Sequence, residues 1–430
     1  MTFLPIRLAG APRTTQDPVD AETLTAVLDI VRDVRESGEA AVRAHGERLG
    51  DLEAGAPMLL DPEALAEART RIDAESRGVL ERTAQRIRRF AEAQRAGATG
   101  ITTSVPGGSA GERLVPVDVA GCYAPGGRYP LPSSVLMTAV TARAAGVGQV
   151  WVASPRPTDI TLAAAAISGA DGLLAVGGAQ AIAALAFGIP GVPSADVVVG
   201  PGNRWVTAAK YAVSATVGVD LIAGPSELVV VATPTSDPVL VAADLLAQAE
   251  HDPDAVPVLV VLAPESAGSL VVQGIREELE RQLADLPTAP TARLSLAQSW
   301  AVVSPDADVI VAEVDRFAPE HLQLHAGAEH LAPRLSRFGG LFVGADTAEV
   351  FGDYGAGPNH TLPTGGTARY SGGLSVHTFL RRPTWMELES ETDGWEDIAR
   401  DAMALARMEG LEAHARAAER RLEKRPATER

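Results

Sequence analysis

Gln248 and His251 are two side chains that could bind a metal ion together. They lie three positions apart at the end of an apolar run that starts near Asp237, so on a helix both would leave the same face. An imidazole beside an amide oxygen is half of a plausible zinc site, which would need two more ligands. The alternative is an ordinary helix end, where His251 interacts favourably with the helix dipole.

Glu320 and His321 are adjacent in the sequence and could form an acid–base pair. Pro319 suits the first turn of a helix, so we expect both side chains in a helical turn. An imidazole can accept an alcohol proton as a hydride leaves carbon, and a carboxylate can activate a water molecule. The alternative is a plain helix start in which Glu320 lies near the positive end of the dipole.

Glycine-bearing loops that follow predicted strands could contact a nucleotide. Gly200-Pro201-Gly202 lacks the third glycine of the Gly-x-Gly-x-x-Gly fingerprint, and Gly177-Gly178 has the wrong spacing. A standard dinucleotide fold is therefore not indicated. The loops nevertheless follow putative strand ends, the usual ligand edge of an open parallel sheet. Asn203 directly precedes a predicted helix and is also a good N-cap.

The ordered motifs of the chain resemble those of histidinol dehydrogenases, the enzymes of the last two steps of histidine biosynthesis. The resemblance extends over nearly the whole chain, and so many motifs in the right order make it specific. The motifs are GCYAPGG (121–127), GGAQAIA (177–183), GPGN (200–203), AGPSE (223–227), LLAQAEH (245–251), APEHL (318–322), FGDYGAGPNH (351–360) and EGLEAH (409–414).

The resemblance implies one zinc ion per subunit. Its ligands would be Gln248, His251, Asp353 and His414. A weak carboxamide ligand such as Gln248 would leave the ion open to substrate atoms. By their residue types alone, Asp353 could simply stabilise a glycine-rich loop, and His414 could be a partly exposed helical histidine.

The resemblance also assigns the reaction steps and the remaining contacts. His321 would act as the general base in alcohol oxidation, and Glu320 would activate water for aldehyde oxidation. Substrate would touch Ser226, His360 and Glu409, besides His321 and the four metal ligands, although Glu409 could also be a surface glutamate. NAD+ would bind in a non-standard mode to Tyr123, Gln180 and Asn203.

Strand–helix alternation dominates the middle of the chain. Apolar runs at 114–119, 150–153, 173–176, 197–199 and 228–231 indicate strands, and runs at 133–145, 161–167, 179–187 and 204–215 indicate helices. This alternation predicts a parallel sheet covered on both faces. Residues 237–311 suggest a second such unit, whereas 21–94 and the chain after about His377 have helical patterns, with a helix start at Asp61-Pro62.

The resemblance implies an α/β fold with two Rossmann-like parallel-sheet domains, one inserted in the other, an architecture like that of aldehyde dehydrogenases. The first domain would comprise residues 22–119 and 231–376 and carry the metal and acid–base residues. The inserted NAD-binding domain would span 120–230. An N-terminal arm (1–21) and a C-terminal helical segment (377–430) would pack on the partner subunit of a homodimer with shared active sites.

The composition excludes several classes of protein. The chain has 430 residues, enough for two to four domains, and its 46% hydrophobic and 21% charged residues are ordinary for a globular protein. A formal net charge of −18 argues against a nucleic-acid partner. The single cysteine, Cys122, excludes an intrachain disulfide and fits a cytoplasmic location. No secretory signal is visible, and glycines interrupt the longest apolar stretch, 172–191, so we expect no membrane span.

Two alternative functions compete with a zinc- and NAD-dependent dehydrogenase. A cysteine-dependent aldehyde dehydrogenase needs a nucleophilic cysteine, but Cys122 sits in a predicted Gly/Pro turn with no histidine near it in sequence. We interpret it as a small buried residue. A non-catalytic zinc protein would more usually pair its ligands locally and use cysteines. A hydride-transfer assay with added zinc separates the three possibilities.

Overall fold

The computed structural model describes residues 3–10, 18–126 and 130–424. The chain forms two compact units: unit 1 lies within residues 1–95 and 117–379, and unit 2 within residues 96–116 and 380–430. Across the described ranges, no helix combines the length and the hydrophobicity needed to cross a lipid bilayer.

Strands and α-helices alternate along much of the described chain. The strands are β1 (Ile6–Arg7), β2 (Leu59–Leu60), β3 (Ile101–Val105), β4 (Gly108–Glu112), β5 (Val115–Pro116), β6 (Val119–Tyr123), β7 (Gln149–Ala153), β8 (Gly172–Leu174), β9 (Val197–Val199), β10 (Gly218–Val219), β11 (Glu227–Ala232), β12 (Val256–Leu262), β13 (Trp300–Ser304), β14 (His321–Leu324), β15 (Gly340–Val343), β16 (Leu380–Arg381) and β17 (Thr384–Leu388). The α-helices are α1 (Ala21–Ser37), α2 (Glu39–Leu49), α3 (Pro62–Arg71), α4 (Ala74–Gly97), α5 (Pro132–Ala145), α6 (Asp159–Ser168), α7 (Gly178–Phe187), α8 (Arg204–Val213), α9 (Pro238–Ala249), α10 (Glu265–Leu283), α11 (Ala289–Leu296), α12 (Ala307–Phe317), α13 (Glu349–Asp353), α14 (Trp395–Met408) and α15 (Glu412–Glu423).

The first parallel sheet of unit 1 has the strand order β1-β13-β12-β11-β14-β15. Its central strand β11 is buried along its whole length, because side chains from α9, α10 and α11 cover one face and those from α12 cover the other. Helix α9 follows β11 and returns antiparallel to it. The C-terminal end of α9 therefore lies at the same edge of the sheet as the first residues of β11 and β14.

The second parallel sheet of unit 1 has the order β10-β9-β6-β7-β8-β2, in which only β2 is antiparallel to its neighbour. The direction of winding reverses between β6 and β9. The crevice at the carboxyl ends of these two strands is where an open sheet usually binds a ligand. Tyr123 ends β6 there, and Gly200 directly follows β9. The predicted fold class, α/β with two parallel sheets, is confirmed.

Helices α1 and α2 pack with α7 and α8 and share the core of the second sheet, where Val27, Val31 and Val42 are buried. Strand β2 extends the same sheet. The sequence-based division grouped residues 22–119 with the first sheet instead. The observed packing differs because the valine face of α1 is buried against α7 and α8. The domain boundaries as a whole stay a prediction.

Most predicted elements are found, with two corrections. The single predicted strand at 114–119 is divided into β5 and β6, because Asp118 leaves the strand and its amide donates to Asp196 Oδ2 at 2.9 Å. The chain after His377 is not helical throughout, because residues 384–388 form β17 and pair antiparallel with β4. The predicted helix start at Asp61-Pro62 is confirmed, with Asp61 as the N-cap of α3.

Unit 2 contains the antiparallel sheet β3-β4-β17, the strand pair β5-β16 and the packed helices α14 and α15. Gly107 turns the chain between β3 and β4 with φ of 83°, and its N–H donates to Asp393 O at 2.8 Å. A Cβ at this position would lie 2.9 Å from the Cα of Trp395, so only glycine fits.

Candidate active site and metal centre

Glu320 and His321 lie at the amino end of β14, with His321 as its first residue. The predicted helical turn is wrong. Helix α12 ends at Phe317, Ala318 adopts a left-handed conformation with φ of 50°, and the chain then enters the sheet between β11 and β15. Sheet pairing on both sides outweighs the helix-starting tendency of Pro319. Both side chains are buried.

The Glu320 carboxylate is held by the start of β11. Its Oε2 accepts a hydrogen bond from Ser226 Oγ at 2.5 Å and another from the backbone N–H of Glu227 at 2.9 Å. Burial raises the pKa of Glu320 to about 7, against the opposing effects of His321 and the Ser226 hydrogen bond. The group is therefore poised to gain or lose a proton near neutral pH.

His321 is fixed in one tautomer by its backbone contact. Its Nδ1 lies 3.2 Å from Glu227 O, and because a carbonyl oxygen only accepts, Nδ1 carries the proton. Nε2 faces Asp353 Oδ1 at 3.3 Å. Burial lowers the pKa of His321, but the nearby carboxylates of Glu349, Glu320 and Asp353 outweigh it and raise that pKa to about 10. A cation bound among these carboxylates would offset their effect.

Gln248 lies in the last turn of α9 and is fully buried. Neither its Oε1 nor its Nε2 has a hydrogen-bond partner among the described residues. His251 follows the end of α9 rather than sharing a helix face with Gln248, so that detail of the prediction is wrong. Helix α9 ends at Ala249, and Glu250 is its C-cap. Leaving the helix carries the half-exposed His251 side chain to Asp353, with Nε2 3.6 Å from Oδ2.

Asp353 closes the short helix α13 and lies between two histidines, His251 and His321. Burial alone would raise the pKa of this carboxyl, but the neighbouring imidazoles outweigh it and lower the pKa below its ordinary value. Ligand atoms of His251, Glu349 and Asp353 all lie within 4.8 Å of one another, a spacing at which side chains could hold a metal ion. Two of the four predicted metal ligands thus meet, together with an unpredicted glutamate.

His360 forms a hydrogen bond with Asp353, the last residue of α13. Its Nδ1 lies 2.8 Å from the backbone oxygen of Asp353, so Nδ1 donates and Nε2 remains an acceptor. Burial lowers the pKa of His360, which favours this neutral form. Ser134 Oγ lies 3.5 Å from Nε2. The acceptor nitrogen is suited to a hydrogen-bond donor on a ligand.

Glu409 and His414 lie in unit 2. Glu409 caps the C-terminus of α14, and His414 is in the first turn of α15. Both are exposed. Their predicted places as a substrate contact and a metal ligand stay predictions.

The three residues predicted to contact NAD+ surround the carboxyl edge of the second sheet. The Tyr123 hydroxyl accepts from the N–H of Gly178 at 3.3 Å, and burial raises the pKa of Tyr123 to about 12, so the hydroxyl is neutral. Gln180 Nε2 donates to Asp51 Oδ2 at 2.9 Å. Asn203 caps α8 by accepting from Trp205 N and Val206 N, as its position before a helix predicted.

Comparison with known proteins identifies the family. The family profile described as histidinol dehydrogenase matches residues 13–422. The chain belongs to the histidinol dehydrogenase family. A histidinol dehydrogenase of Nitratidesulfovibrio vulgaris is 44% identical over 415 residues, covering 94% of this chain and 93% of the relative. A histidinol dehydrogenase homolog of Ruegeria pomeroyi is 41% identical over 437 residues, covering 99% of this chain and 98% of the relative.

A solved structure agrees with this assignment. The crystal structure of histidinol dehydrogenase from Elizabethkingia anophelis superposes with a TM-score of 0.89 and 29% identity, covering 98% of this chain and 99% of that one. The resemblance identified from the motifs is confirmed, and so is the enzyme class, an oxidoreductase of the histidinol dehydrogenase family. Membership of this family removes the alternative of a non-catalytic zinc protein.

Cys122 argues against the cysteine-dependent alternative. It lies inside β6 rather than in a turn, it is fully buried, and burial raises the pKa of its thiol to about 12. A nucleophilic cysteine needs an accessible thiolate. The interpretation of Cys122 as a small buried residue is confirmed.

Sequence reasoning missed several polar residues that support these sites. Asp51, after α2, accepts from Gly177 N at 3.1 Å and from Gln180. Lys210 and Asp220 form a buried ion pair at 2.5 Å behind Gly200. Glu349 lies with His251 and Asp353 in the cluster that could hold a metal ion. Neither Asp51, the Lys210–Asp220 pair nor Glu349 belongs to a recognisable sequence motif. Their contacts depend on tertiary packing rather than on a local pattern of residues.

Proposed function

We propose that this chain oxidises L-histidinol to L-histidine through histidinaldehyde, with one Zn²⁺ per subunit and two NAD+ per turnover, as the last steps of histidine biosynthesis. The observation that carries the proposal is the meeting of Glu320 and His321 with His251 and Asp353 at one sheet edge. This edge combines an acid–base pair with oxygen and nitrogen ligands that suit zinc.

The residues at this edge fit a zinc ion. Gln248 buries an amide without a partner, which is costly unless a ligand satisfies the oxygen. His251 Nε2 and Asp353 Oδ2 are 3.6 Å apart, close to the separation of two ligands that each lie about 2 Å from one ion. The proposed ligands are Gln248, His251, Asp353 and His414. When bound, zinc would polarise the reacting oxygen of the substrate as a Lewis acid.

His321 acts as the base of the first oxidation. A cation bound among the carboxylates that raise the pKa of His321 would favour the neutral ring, which keeps its proton on Nδ1. Nε2 then takes the hydroxyl proton of histidinol. A hydride is transferred to NAD+ from the carbon that bears this hydroxyl group. The products are the aldehyde, NADH and one proton.

Glu320 acts in the second oxidation. Water adds to the aldehyde carbon while the Glu320 carboxylate takes a proton from that water, and a hydride then leaves the hydrate for a second NAD+. Its buried position between Ser226 and the Glu227 amide keeps the carboxylate oriented. The pKa of about 7 allows it to pass the proton on at neutral pH.

The remaining predicted residues bind the substrate and the cofactor. His360 offers Nε2 to a donor on histidinol, and Ser226 and Glu409 supply further polar contacts. Tyr123, Gln180 and Asn203 contact NAD+ at the carboxyl edge of the second sheet, where an open sheet usually binds nucleotides. The enzyme works in the cytoplasm as a homodimer in which Glu409 and His414 complete the site of the partner subunit.

The stoichiometry of the reaction tests the proposal. With zinc, excess NAD+ and limiting L-histidinol, we expect two NADH, measured by absorbance, and one L-histidine, measured by chromatography, for each histidinol consumed. Both oxidations occur because the base and the water-activating residue occupy one site. One NADH per histidinol, with free aldehyde accumulating, would contradict the proposed four-electron reaction.

A further inference from the structure

Asp51 is a carboxylate at the carboxyl edge of the second sheet, and the proposed reaction does not use it. It follows α2, and its Oδ2 accepts from the backbone N–H of Gly177 at 3.1 Å and from Gln180 Nε2 at 2.9 Å. Its other oxygen, Oδ1, forms no hydrogen bond with a described residue, and the residue is only half-buried. Asp51 can therefore accept a further hydrogen bond from a ligand.

The contact with Asp51 fixes the orientation of the Gln180 amide. Because a carboxylate only accepts, the amide nitrogen must face Asp51, and Oε1 is left as an acceptor. No described residue donates to this buried oxygen, a state that is unfavourable unless a ligand or water supplies a donor. It lies beside Gly178, 3.1 Å from where a Cβ of that residue would be. Two acceptors thus lie together at the amino end of α7.

The position of Asp51 corresponds to the ribose site of a dinucleotide-binding sheet. Strands β8, β7, β6, β9 and β10 lie side by side in the order 3-2-1-4-5 of such a sheet, in which an acidic residue after strand 2 accepts from the 2′-hydroxyl of the adenosine ribose. Residues 154–158, which follow β7, contain no acidic side chain. Pro155 of this segment packs against Gly177, where a Cβ would lie 2.7 Å from the proline Cγ. Since Asp51 binds the same glycine, it brings a carboxylate from α2 to the end of β7.

Arg156 lies in the same segment and has the opposite charge. Burial raises the pKa of Asp51, and the Gly177 N–H, the Arg156 guanidinium and the Gln180 amide oppose this rise. Arg156 is exposed and therefore open to a ligand. An arginine at this place in a dinucleotide-binding sheet can accommodate the 2′-phosphate of NADP. Here the neighbouring carboxylate offsets its charge.

We propose that Asp51 selects NAD+ over NADP+. Its carboxylate accepts a hydrogen bond from a hydroxyl of the adenosine ribose, and Gln180 Oε1 adds a second acceptor beside it. A 2′-phosphate replaces the donating hydroxyl with negative charge, so the same two acceptors disfavour it. Asp51 acts on the cofactor without taking part in hydride transfer. The inference rests on the proposed use of NAD+.

Cofactor binding to the full-length chain tests the inference without reference to turnover. NADH and NADPH would be titrated separately, by their own fluorescence, against the wild type and Asp51→Asn. This variant removes the charge, while its amide oxygen can still accept from both Gly177 and Gln180. We expect the wild type to bind NADH at least about 100-fold more tightly than NADPH, and Asp51→Asn to lower this ratio to about tenfold or less through tighter NADPH binding.

Two further variants identify the cause of the change. Asp51→Asn combined with Arg156→Ala should lose the gain in NADPH affinity, because the guanidinium that receives the phosphate is gone. Asp33→Asn removes an acidic side chain of α1 that pairs with His45 on α2, and it should leave the ratio of the two affinities unchanged. A gain in NADPH affinity for Asp33→Asn equal to that for Asp51→Asn would overturn the inference, because net charge alone would explain both.

The outcomes separate this inference from the proposed function. If the wild type binds neither cofactor and forms no NADH from histidinol, the proposed function fails and the inference fails with it. If the wild type binds both cofactors equally well, Asp51 does not select between them, and the proposed oxidation of histidinol stands. The same conclusion follows if Asp51→Asn weakens the binding of NADH and NADPH by the same factor, since the residue then only supports the fold.

A measurement on the wild type covers the case in which Asp51→Asn does not fold, as judged by circular dichroism. Salt screens the repulsion between the Asp51 carboxylate and a 2′-phosphate at a partly exposed site. The preference for NADH over NADPH should therefore fall as the salt concentration increases. A preference that is independent of salt would overturn the inference.

Discussion

At the scale of single residues, the proposed mechanism gives separate roles to two neighbours in the sequence. Glu320 and His321 lie side by side at the start of β14, with Glu320 Oε2 3.6 Å from His321 Nδ1. Both are held by the start of β11, Glu320 by Ser226 and the Glu227 amide and His321 by the Glu227 carbonyl. One residue of β11 thus orients both groups.

The two residues should separate by reaction step. His321→Ala should slow the oxidation of histidinol by roughly 10²–10⁴-fold, because it removes the proposed general base. Glu320→Gln should spare that step more than the oxidation of added histidinaldehyde, since only the second step needs activated water. Single-turnover rates of NADH formation from each substrate measure the two steps. Equal losses in both steps for Glu320→Gln would remove its proposed role.

The proposed role of Glu320 also predicts a pH dependence of aldehyde oxidation. In the proposed role Glu320 activates water as the carboxylate, and its pKa is about 7, so the rate of aldehyde oxidation should rise as pH increases through that value. Glu320→Gln should lack this rise. Glu313→Gln, which alters a carboxylate outside the site, should keep it.

At the scale of elements, the loop after β9 is held by a buried ion pair. Lys210 on α8 donates to Gly200 O and pairs with Asp220 at 2.5 Å, and Asp220 Oδ2 accepts from Gly200 N at 2.7 Å. The backbone N–H and C=O of Gly200 are thus both held by the buried ion pair. Thr207 Oγ1 on the same helix donates to Ala223 O at 3.1 Å, which ties α8 to the segment leading to Ser226.

Breaking this pair should affect the cofactor more than the substrate. Lys210→Met leaves Asp220 buried without its partner, which typically destabilises a protein by about 3–5 kcal/mol. We expect a loss of that size in urea unfolding and a higher KM for NAD+, with a smaller change in the KM for histidinol. Lys210→Met combined with Asp220→Asn should recover part of the stability, because the uncompensated charge is gone. A KM for NAD+ equal to that of wild type would show that the pair does not position the loop.

The elements also show how far sequence reasoning reaches. Continuous apolar runs identified β6, β7, β8, β9 and β11, because burial on both faces leaves an unmistakable pattern, as in the fully buried β11. They did not identify β13, β14 or β15. Pro319 predicted a helical turn at Glu320 and His321, but β14 begins there instead. The prediction failed because the conformation is decided by pairing with β11 and β15, which are distant along the chain. Local propensity carries no information about such partners.

The site residues likewise divide into those that a sequence motif identifies and those that only tertiary packing brings to the site. The motifs named Gln248, His251, Asp353 and the acid–base pair, all of which lie in unit 1. They did not point to Glu349, because a glutamate in the first turn of a helix is common and its burial depends on α9 packing beside it. They did not point to Asp51 either, because its partner Gln180 is 129 residues away.

At the scale of the whole molecule, the proposed shared site can be tested by complementation. In the proposed dimer, Gln248 comes from one subunit and His414 from the other. A mixed dimer of Gln248→Ala and His414→Ala would then have one site with both lesions and one with neither. Co-refolding the two inactive variants should restore up to about half of the activity per mixed dimer. With mixed dimers verified, an absence of recovery would place His414 in the site of its own subunit.

The amino end of α7 has a consequence for the timing of turnover. The N–H of Gly177 is already taken by the Asp51 carboxylate, and that of Gly178 by the Tyr123 hydroxyl. In many dinucleotide-binding proteins such amides grip a phosphate, so a cofactor without this anchor should have a short residence time. The proposed reaction needs a short residence time of the cofactor, because the first NADH must dissociate and a second NAD+ must bind while the aldehyde stays in the site. By occupying this amide, the Asp51 carboxylate would therefore favour rapid exchange of NADH for NAD+, which shortens the time for which the aldehyde waits for its second oxidation.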